Sequence, residues 1–136
     1  MKTMKQIALS IGAGMLMITI SSGSLFAQEK PKGKPWAAPE TAVKMKNPTK
    51  SDGSGKDVWG QQCKSCHGAK GLGDGPKAEK LEISAGNFTT AEFAKITDGE
   101  LFWKITEGRK PMPSFKDKLS DNERWQVVNY LRGFAK

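Results

Sequence analysis

The sequence has few of the residues that bind metals or cross-link exported proteins. It contains two cysteines and one histidine among 136 residues, which excludes a structural zinc site of four cysteine and histidine ligands. The longest apolar run, residues 7–20, would reach only about 21 Å as a helix at ~1.5 Å per residue, short of the ~30 Å hydrocarbon core of a membrane. No arginine-rich or aromatic–basic stripe is present, so nucleic-acid binding is not favoured.

Residues 1–27 have the pattern of a secretory signal peptide. Lys2 and Lys5 give a positively charged start, residues 7–20 form the apolar stretch, and small residues lead to Ala27 at the expected cleavage position. We therefore expect export, with an uncleaved membrane anchor or a peripheral membrane association as the alternatives. Cleavage would remove two positive charges and lower the formal net charge from +8 to +6. A net positive charge of this size favours acidic protein partners.

The rest of the chain divides into an extension and a domain. Residues 28–54 are rich in Lys, Pro, Gly and Ser, a composition typical of a linker or N-terminal extension. Trp36, Val43 and Met45 are the exceptions, and the sequence leaves open whether they dock on the domain or lie in a flexible tether. We place the domain at residues 55–136.

Helical patterns dominate from Gly55 onward. A short helix is expected to run into the cysteine pair, followed by a glycine-rich loop and one helical turn within residues 90–95. Two capping boxes, Thr97 with Glu100 and Ser120 with Glu123, predict the starts of two longer helices. The last helix carries one apolar stripe, which consists of Val127, Tyr130, Leu131 and Phe134. We predict an all-α domain whose small core needs a cofactor to fill its centre.

The chemical signal lies at Cys63, Cys66 and His67, in the sequence CKSCH. This is the C-x-x-C-H pattern of covalent haem attachment. Because residues i and i+3 share one face of a helix, both cysteines can form thioether bonds to one porphyrin, and the next residue places its imidazole on the iron. A thioredoxin-like redox pair would need a βαβ pattern, which the sequence lacks.

The second axial ligand must come from elsewhere in the chain. His67 is the only histidine, so bis-histidine ligation is excluded, and no cysteines remain for a second attached haem. Four of the six methionines lie in the predicted signal peptide, which leaves Met45 and Met112. Met112 stands between Pro111 and Pro113, which bar a regular helix and stiffen the loop. We therefore predict Met112 as the sixth ligand.

Over residues 54–136 the chain resembles the class I cytochrome c family in its small bacterial monohaem form. Gly55 and Trp59 are similar to the glycine–aromatic pair of the family's first helix, and WQVVNYLR resembles its terminal helix. The resemblance implies a class I cytochrome c fold, in which a few short helices surround one covalent haem c. It also implies that the Pro76 carbonyl accepts a hydrogen bond from His67. The candidates for packing on the first helix are Trp125, Val128 and Tyr130.

The resemblance implies a one-electron carrier rather than an enzyme, working in a periplasmic or respiratory chain. Iron with six ligands has no vacant position for a substrate, and histidine–methionine ligation raises the reduction potential. The expected partners are donor and acceptor proteins with an acidic docking face. Candidate docking charges are Lys64, Lys70, Lys77, Lys110 and Lys116.

Two other functions stay open at this point. The first is an enzyme or gas sensor in which Met112 does not bind the iron; with no second histidine, a carboxylate or Arg109 would have to act as the distal acid or base. The second is a subunit of a larger complex, tethered by residues 28–54, which would keep the electron-transfer chemistry.

Overall fold

The computed structural model describes residues 30, 32–33 and 35–135. The predicted signal peptide lies outside the described residues. Six α-helices follow one another within the described part of the chain: α1 (Glu40–Val43), α2 (Gly55–Val58), α3 (Lys64–His67), α4 (Ala91–Ala94), α5 (Asp98–Glu107) and α6 (Asp121–Arg132). A π-helical turn, Trp59–Cys63, joins α2 to α3, and Ala78–Lys80 form a 3₁₀ turn.

The all-α prediction is confirmed. Over the described residues, the only β-type pairing is an isolated bridge between Arg109 and Met112. None of the helices found there is long and apolar enough to cross a membrane. The expected short helix before the cysteines is present as the continuous helical stretch α2–π–α3, and the turn expected within residues 90–95 is α4.

Helices α5 and α6 begin at the side chains that the sequence indicated. The Ser120 side chain accepts a hydrogen bond from the Glu123 backbone N–H, and the Glu123 carboxylate accepts one from the Ser120 backbone N–H, so the capping box of α6 is complete. Thr97 accepts a hydrogen bond from the Glu100 backbone at the start of α5. The Glu100 carboxylate does not complete that box by accepting from the Thr97 backbone. It lies instead 2.6 Å from the Lys104 ammonium, one helical turn further on.

The core lies between α6, α5 and the first helical stretch. Helix α6 approaches α2 so closely that a Cβ atom on Gly55 would lie 2.0 Å from the Gln126 carbonyl oxygen. Trp59 packs on Tyr130, with ring centroids 5.9 Å apart. Trp125 instead stacks on Phe102 of α5, at 4.1 Å. The buried cluster consists of Trp59, Phe93, Leu101, Phe102, Ile105, Phe115, Leu119, Trp125, Val127, Val128 and Leu131.

The extension before Gly55 packs against the domain. Ala42 of α1 is buried, and its carbonyl oxygen would lie 2.0 Å from a Cβ atom on Gly99 of α5. The Thr97 hydroxyl donates a hydrogen bond to the Val43 carbonyl at 3.0 Å. Docking of the described part of this segment, which the sequence left open, is therefore observed.

Candidate haem site

Cys63, Cys66 and His67 line one cavity of about 300 Å³. Cys63 ends the π-helical turn, and the other two residues belong to α3, so one helical stretch carries all three. Helix α3 ends at Gly68, whose φ of 80° turns the chain away. The two cysteines are free thiols that face the same cavity, as their i, i+3 spacing predicts.

The electrostatics of this side of the cavity favour neutral groups. Burial lowers the pKa of His67, and a hydrogen bond with the Ala85 backbone raises it by a smaller amount. The neutral imidazole that burial favours is the form that binds metals. Burial, with a smaller contribution from Cys66, raises the pKa of the Cys63 thiol to about 12. The Cys63 side chain is therefore a protonated thiol in a protected, apolar place rather than a reactive thiolate.

The His67 ring is held by aromatic neighbours, and one of its nitrogen atoms has no protein partner among the described residues. The ring centroid lies 4.9 Å from that of Phe88 and 5.8 Å from that of Trp59. Nδ1 is buried without a hydrogen bond in the described structure. A buried polar atom of this kind costs free energy unless a partner is supplied.

The loop that contains Pro76 lies directly against the cysteine helix. The backbone N–H of Gly75 donates to the Cys66 carbonyl at 3.2 Å, and that of Lys77 donates to the Ser65 carbonyl at 2.8 Å. Pro76 itself is exposed and does not line the cavity. Since His67 Nδ1 has no hydrogen-bond partner in the described residues, the bond from His67 to the Pro76 carbonyl stays a prediction for the haem-bound protein.

Met112 lines the same cavity from a loop rather than a helix. Its backbone N–H donates to the Arg109 carbonyl at 2.8 Å, and the Arg109 N–H donates to the Met112 carbonyl at 3.0 Å. The Ser114 hydroxyl ties the following residues to the Thr106 carbonyl at 2.6 Å. Pro111 and Pro113 also line the cavity. The structure thus brings Met112 to the cavity that holds the cysteines and histidine.

Several other cavity residues were not predicted to line it. Leu81, Ile83 and Ala85 come from an irregular segment, and Trp36, one of the residues whose docking the sequence left open, comes from the extension. These segments have no helical or strand period, so nothing local indicated which side chains turn inward. Their contribution makes the cavity wall mostly apolar.

The residues present fit a covalently bound haem. The cavity combines two free thiols, which can attach a porphyrin, with an imidazole and a thioether, which can bind iron, inside an apolar wall. No cluster of three or more His, Cys, Asp or Glu side chains that could hold a metal ion by themselves occurs in the described part of the chain.

Comparisons with known proteins agree with this geometry. The model of the family described as cytochrome c oxidase, cbb3-type, subunit III matches residues 51–131. The solved KustC0563 c-type cytochrome is 37% identical over 60% of this chain and 98% of its own, with a TM-score of 0.54. A chain of the Kuenenia stuttgartiensis reducing HAO-like protein complex Kustc0457/Kustc0458 is 30% identical over 76% of this chain and 48% of its own, with a TM-score of 0.57.

Comparison with curated protein sequences finds no match. The family match spans more than half of the chain, includes the CKSCH motif and agrees with the helical fold around the cavity. Members of this family carry covalent haem c, and Cys63 and Cys66 fit that attachment. The chain belongs to the cytochrome c family, in the group whose model is described as cytochrome c oxidase, cbb3-type, subunit III, and is an electron-transfer haem protein.

Proposed function

We propose that this chain is a periplasmic one-electron carrier with a single haem c. Thioether bonds to Cys63 and Cys66 attach the haem, and His67 and Met112 are the two axial ligands. The observation that carries the proposal is that all four side chains line one apolar cavity. Export follows from the signal-like residues 1–27.

The numbers of cysteines and histidines limit how many haems the chain can attach. The sequence offers one C-x-x-C-H motif, two cysteines and one histidine. A second covalent haem would need a second pair of thiols. The chain can therefore supply covalent attachment and a proximal imidazole once only.

The choice of Met112 rests on its contrast with Met45. Met45 has 41% of its surface exposed and does not line the cavity. Met112 is partly buried, packs against the core and lines the cavity. Its loop is fixed by the paired hydrogen bonds with Arg109, and a weak thioether ligand needs such support to stay in place.

The cavity residues favour the reduced state of the cofactor. Bound haem supplies a centre that gains and loses one electron. The thioether of Met112 is a soft donor that raises the potential. The apolar wall excludes water, which disfavours the additional positive charge of the ferric state. We therefore expect a moderately positive reduction potential and no site for a substrate at the iron.

The surface charge favours an acidic redox partner. Five lysines that the sequence indicated as docking charges are exposed, namely Lys64, Lys70, Lys77, Lys110 and Lys116. Salt screens the attraction between exposed charges, with a Debye length of about 10 Å at 0.1 M. The rate of electron exchange with the physiological partner should therefore fall as ionic strength rises; a flat profile would indicate an apolar docking face.

A second candidate is a carrier that works as part of a larger complex. The match to the chain from the HAO-like complex covers 76% of this chain, which is more than residues 51–136 alone can supply, since these are 86 of 136 residues. The likeness therefore extends into the extension. The chemistry at the cavity is the same in either setting.

The proposal is tested by intact-mass measurement and potentiometric titration of the exported protein. We expect the mass of one haem in addition to the chain after denaturation, and a single one-electron transition at a positive potential. A titration well below zero would contradict ligation by Met112, because harder donors lower the potential. A chain without covalent haem would contradict the proposed function altogether.

A further inference from the structure

The extension runs along the domain and is fastened to it at two distant places. Near its start, the Lys30 ammonium donates hydrogen bonds of 2.7 Å to three carbonyl oxygens, those of Ala78, Glu79 and Leu81. Further on, the Asn47 side chain donates to the Asn129 side chain of α6 at 2.9 Å. The described residues between these points are therefore held against the domain.

Trp36 lies between the two fastenings and lines the cavity. Its ring centroid is 6.0 Å from that of Trp103. The guanidinium carbon of Arg109 lies 4.8 Å from the Trp36 ring centroid, and the Lys104 ammonium lies 5.8 Å from it. Cation–π contacts at these distances stabilise the ring in its place.

The backbone before Trp36 is equally close to the cavity wall. A Cβ atom on Gly33 would lie 3.0 Å from the Ile83 side chain and 3.3 Å from the Arg109 guanidinium. Ile83 and Arg109 both line the cavity. The extension therefore packs directly on residues of the site, although it precedes the part of the chain that matches the family model.

We propose that Trp36 is a positioning residue of the haem site, supplied by the extension, which closes one side of the cavity to water and thereby raises the reduction potential. The inference rests on the proposed function, since it concerns the haem held by Cys63, Cys66 and His67. Trp36 acts by excluding solvent, and the cationic side chains of Arg109 and Lys104 hold its ring in place.

The expected sign of its effect follows from charge. Removing the indole admits water to the cavity, and water stabilises the more positively charged ferric state. This change lowers the potential.

The experiment is potentiometric titration of the full haem-loaded chain and four variants. Trp36→Ala should shift the one-electron equilibrium at least tenfold towards the ferric state, which is a fall of ~59 mV. Trp36→Phe keeps an apolar ring, and its one-electron equilibrium constant should stay within threefold of that of the wild type. Trp36→Gln fills the space with a polar group, and its equilibrium should shift towards the ferric state, as in Trp36→Ala.

Asn47→Ala is the matched control. It removes a contact between the extension and α6 but takes nothing from the cavity wall, and its potential should equal that of the wild type. A shift in Asn47→Ala as large as in Trp36→Ala would contradict a specific role for Trp36.

An unchanged potential in Trp36→Ala, or in Trp36→Gln where Trp36→Ala does not accumulate, would overturn the inference. If the wild type keeps covalent haem and a low-spin spectrum in that case, the proposed function still stands. A wild type without covalent haem contradicts the proposed function before any variant is compared.

Discussion

The two sides of the cavity are built in different ways. On the side of the cysteines, the donors lie within five consecutive residues of one helical stretch, so their positions follow from local backbone geometry. On the other side, Met112 lies in a loop whose position depends on contacts with α5, including the hydrogen bond of 3.2 Å from the Phe115 N–H to the Ile105 carbonyl. Attachment should therefore tolerate damage to the tertiary structure better than methionine ligation does.

The largest effect is expected on the side of the cysteines. The double variant Cys63→Ala with Cys66→Ala has no thiol left for a thioether bond, so the intact mass after denaturation should be that of the chain alone. A small helical domain with an empty centre should also lose much of its far-UV helical signal.

The matched control for that variant is Ser65→Ala, which lies between the two cysteines and keeps both thiols. It should retain covalent haem and helical signal. Covalent haem in the double variant would show that the attachment does not occur at these cysteines.

On the methionine side, Gly108→Ala should weaken the binding of Met112 to the iron while the haem stays attached to the cysteines. Gly108 has a φ of 66°, and a Cβ atom there would lie 2.4 Å from backbone atoms of Pro113 and Ser114. The methionine loop must therefore shift, with a loss of about 1–3 kcal/mol in the free energy of unfolding. We expect covalent haem to remain while the oxidised spectrum gains high-spin character.

Gly60→Ala is the control for that substitution. Gly60 lies in the π-helical turn, and a Cβ atom there would have no heavy atom within 4 Å apart from its chain neighbours and the backbone of its own helix. Its free energy of unfolding should equal that of the wild type or exceed it by up to about 1 kcal/mol, because alanine is the better helix former. Equal spectra and equal stabilities for both glycine variants would contradict the dependence of Met112 on its loop.

A smaller effect is expected at the start of α6, which packs against α2 and α5. Ser120→Ala removes the side chain that caps this helix and should lower the free energy of unfolding by about 1 kcal/mol. The optical spectrum should not change, because Ser120 touches neither side of the cavity. Chemical denaturation followed by circular dichroism measures the free energy of unfolding, and absorbance of the folded protein measures the optical spectrum.

The smallest effect is a dependence on pH at the same cap. Hydrogen bonds from Ser120 lower the pKa of Glu123 below its ordinary value of 4.5. Because the folded-state pKa is the lower one, this stabilisation is present above pH 4.5 and is lost as the pH falls through the folded-state value. The stability difference between wild type and Glu123→Gln should therefore narrow on acidification, and a constant difference would contradict the carboxylate's role.

The features that the sequence predicted well are those with local causes. The cap of α6 needs only Ser120 and Glu123, three residues apart. At α5 the same pattern predicted a full capping box, but the Glu100 carboxylate lies 2.6 Å from the Lys104 ammonium, one helical turn further on. On α6 the apolar stripe left out Val128, but the resemblance named it as a packing residue, and it is buried because this helix packs against both α2 and α5.

The features that the sequence could not predict depend on distant contacts. The π-helical turn before Cys63 has no sequence pattern of its own. Trp125 was expected near the first helix, yet it stacks on Phe102 of α5. The place of Trp36 on the cavity wall depends on residues more than sixty positions away, and periodicity carries no such information.

The most direct test of the account is the oxidised and reduced optical spectrum of Met112→Ala beside that of Met45→Ala. Both variants lose one methionine side chain, but only Met112 lines the cavity. We predict that the wild type and Met45→Ala share a low-spin spectrum with a weak sulfur-to-iron band, and that Met112→Ala loses this band. An oxidised spectrum that is high-spin in the wild type and unchanged in Met112→Ala would contradict the account, because the sixth position of the iron would then be open.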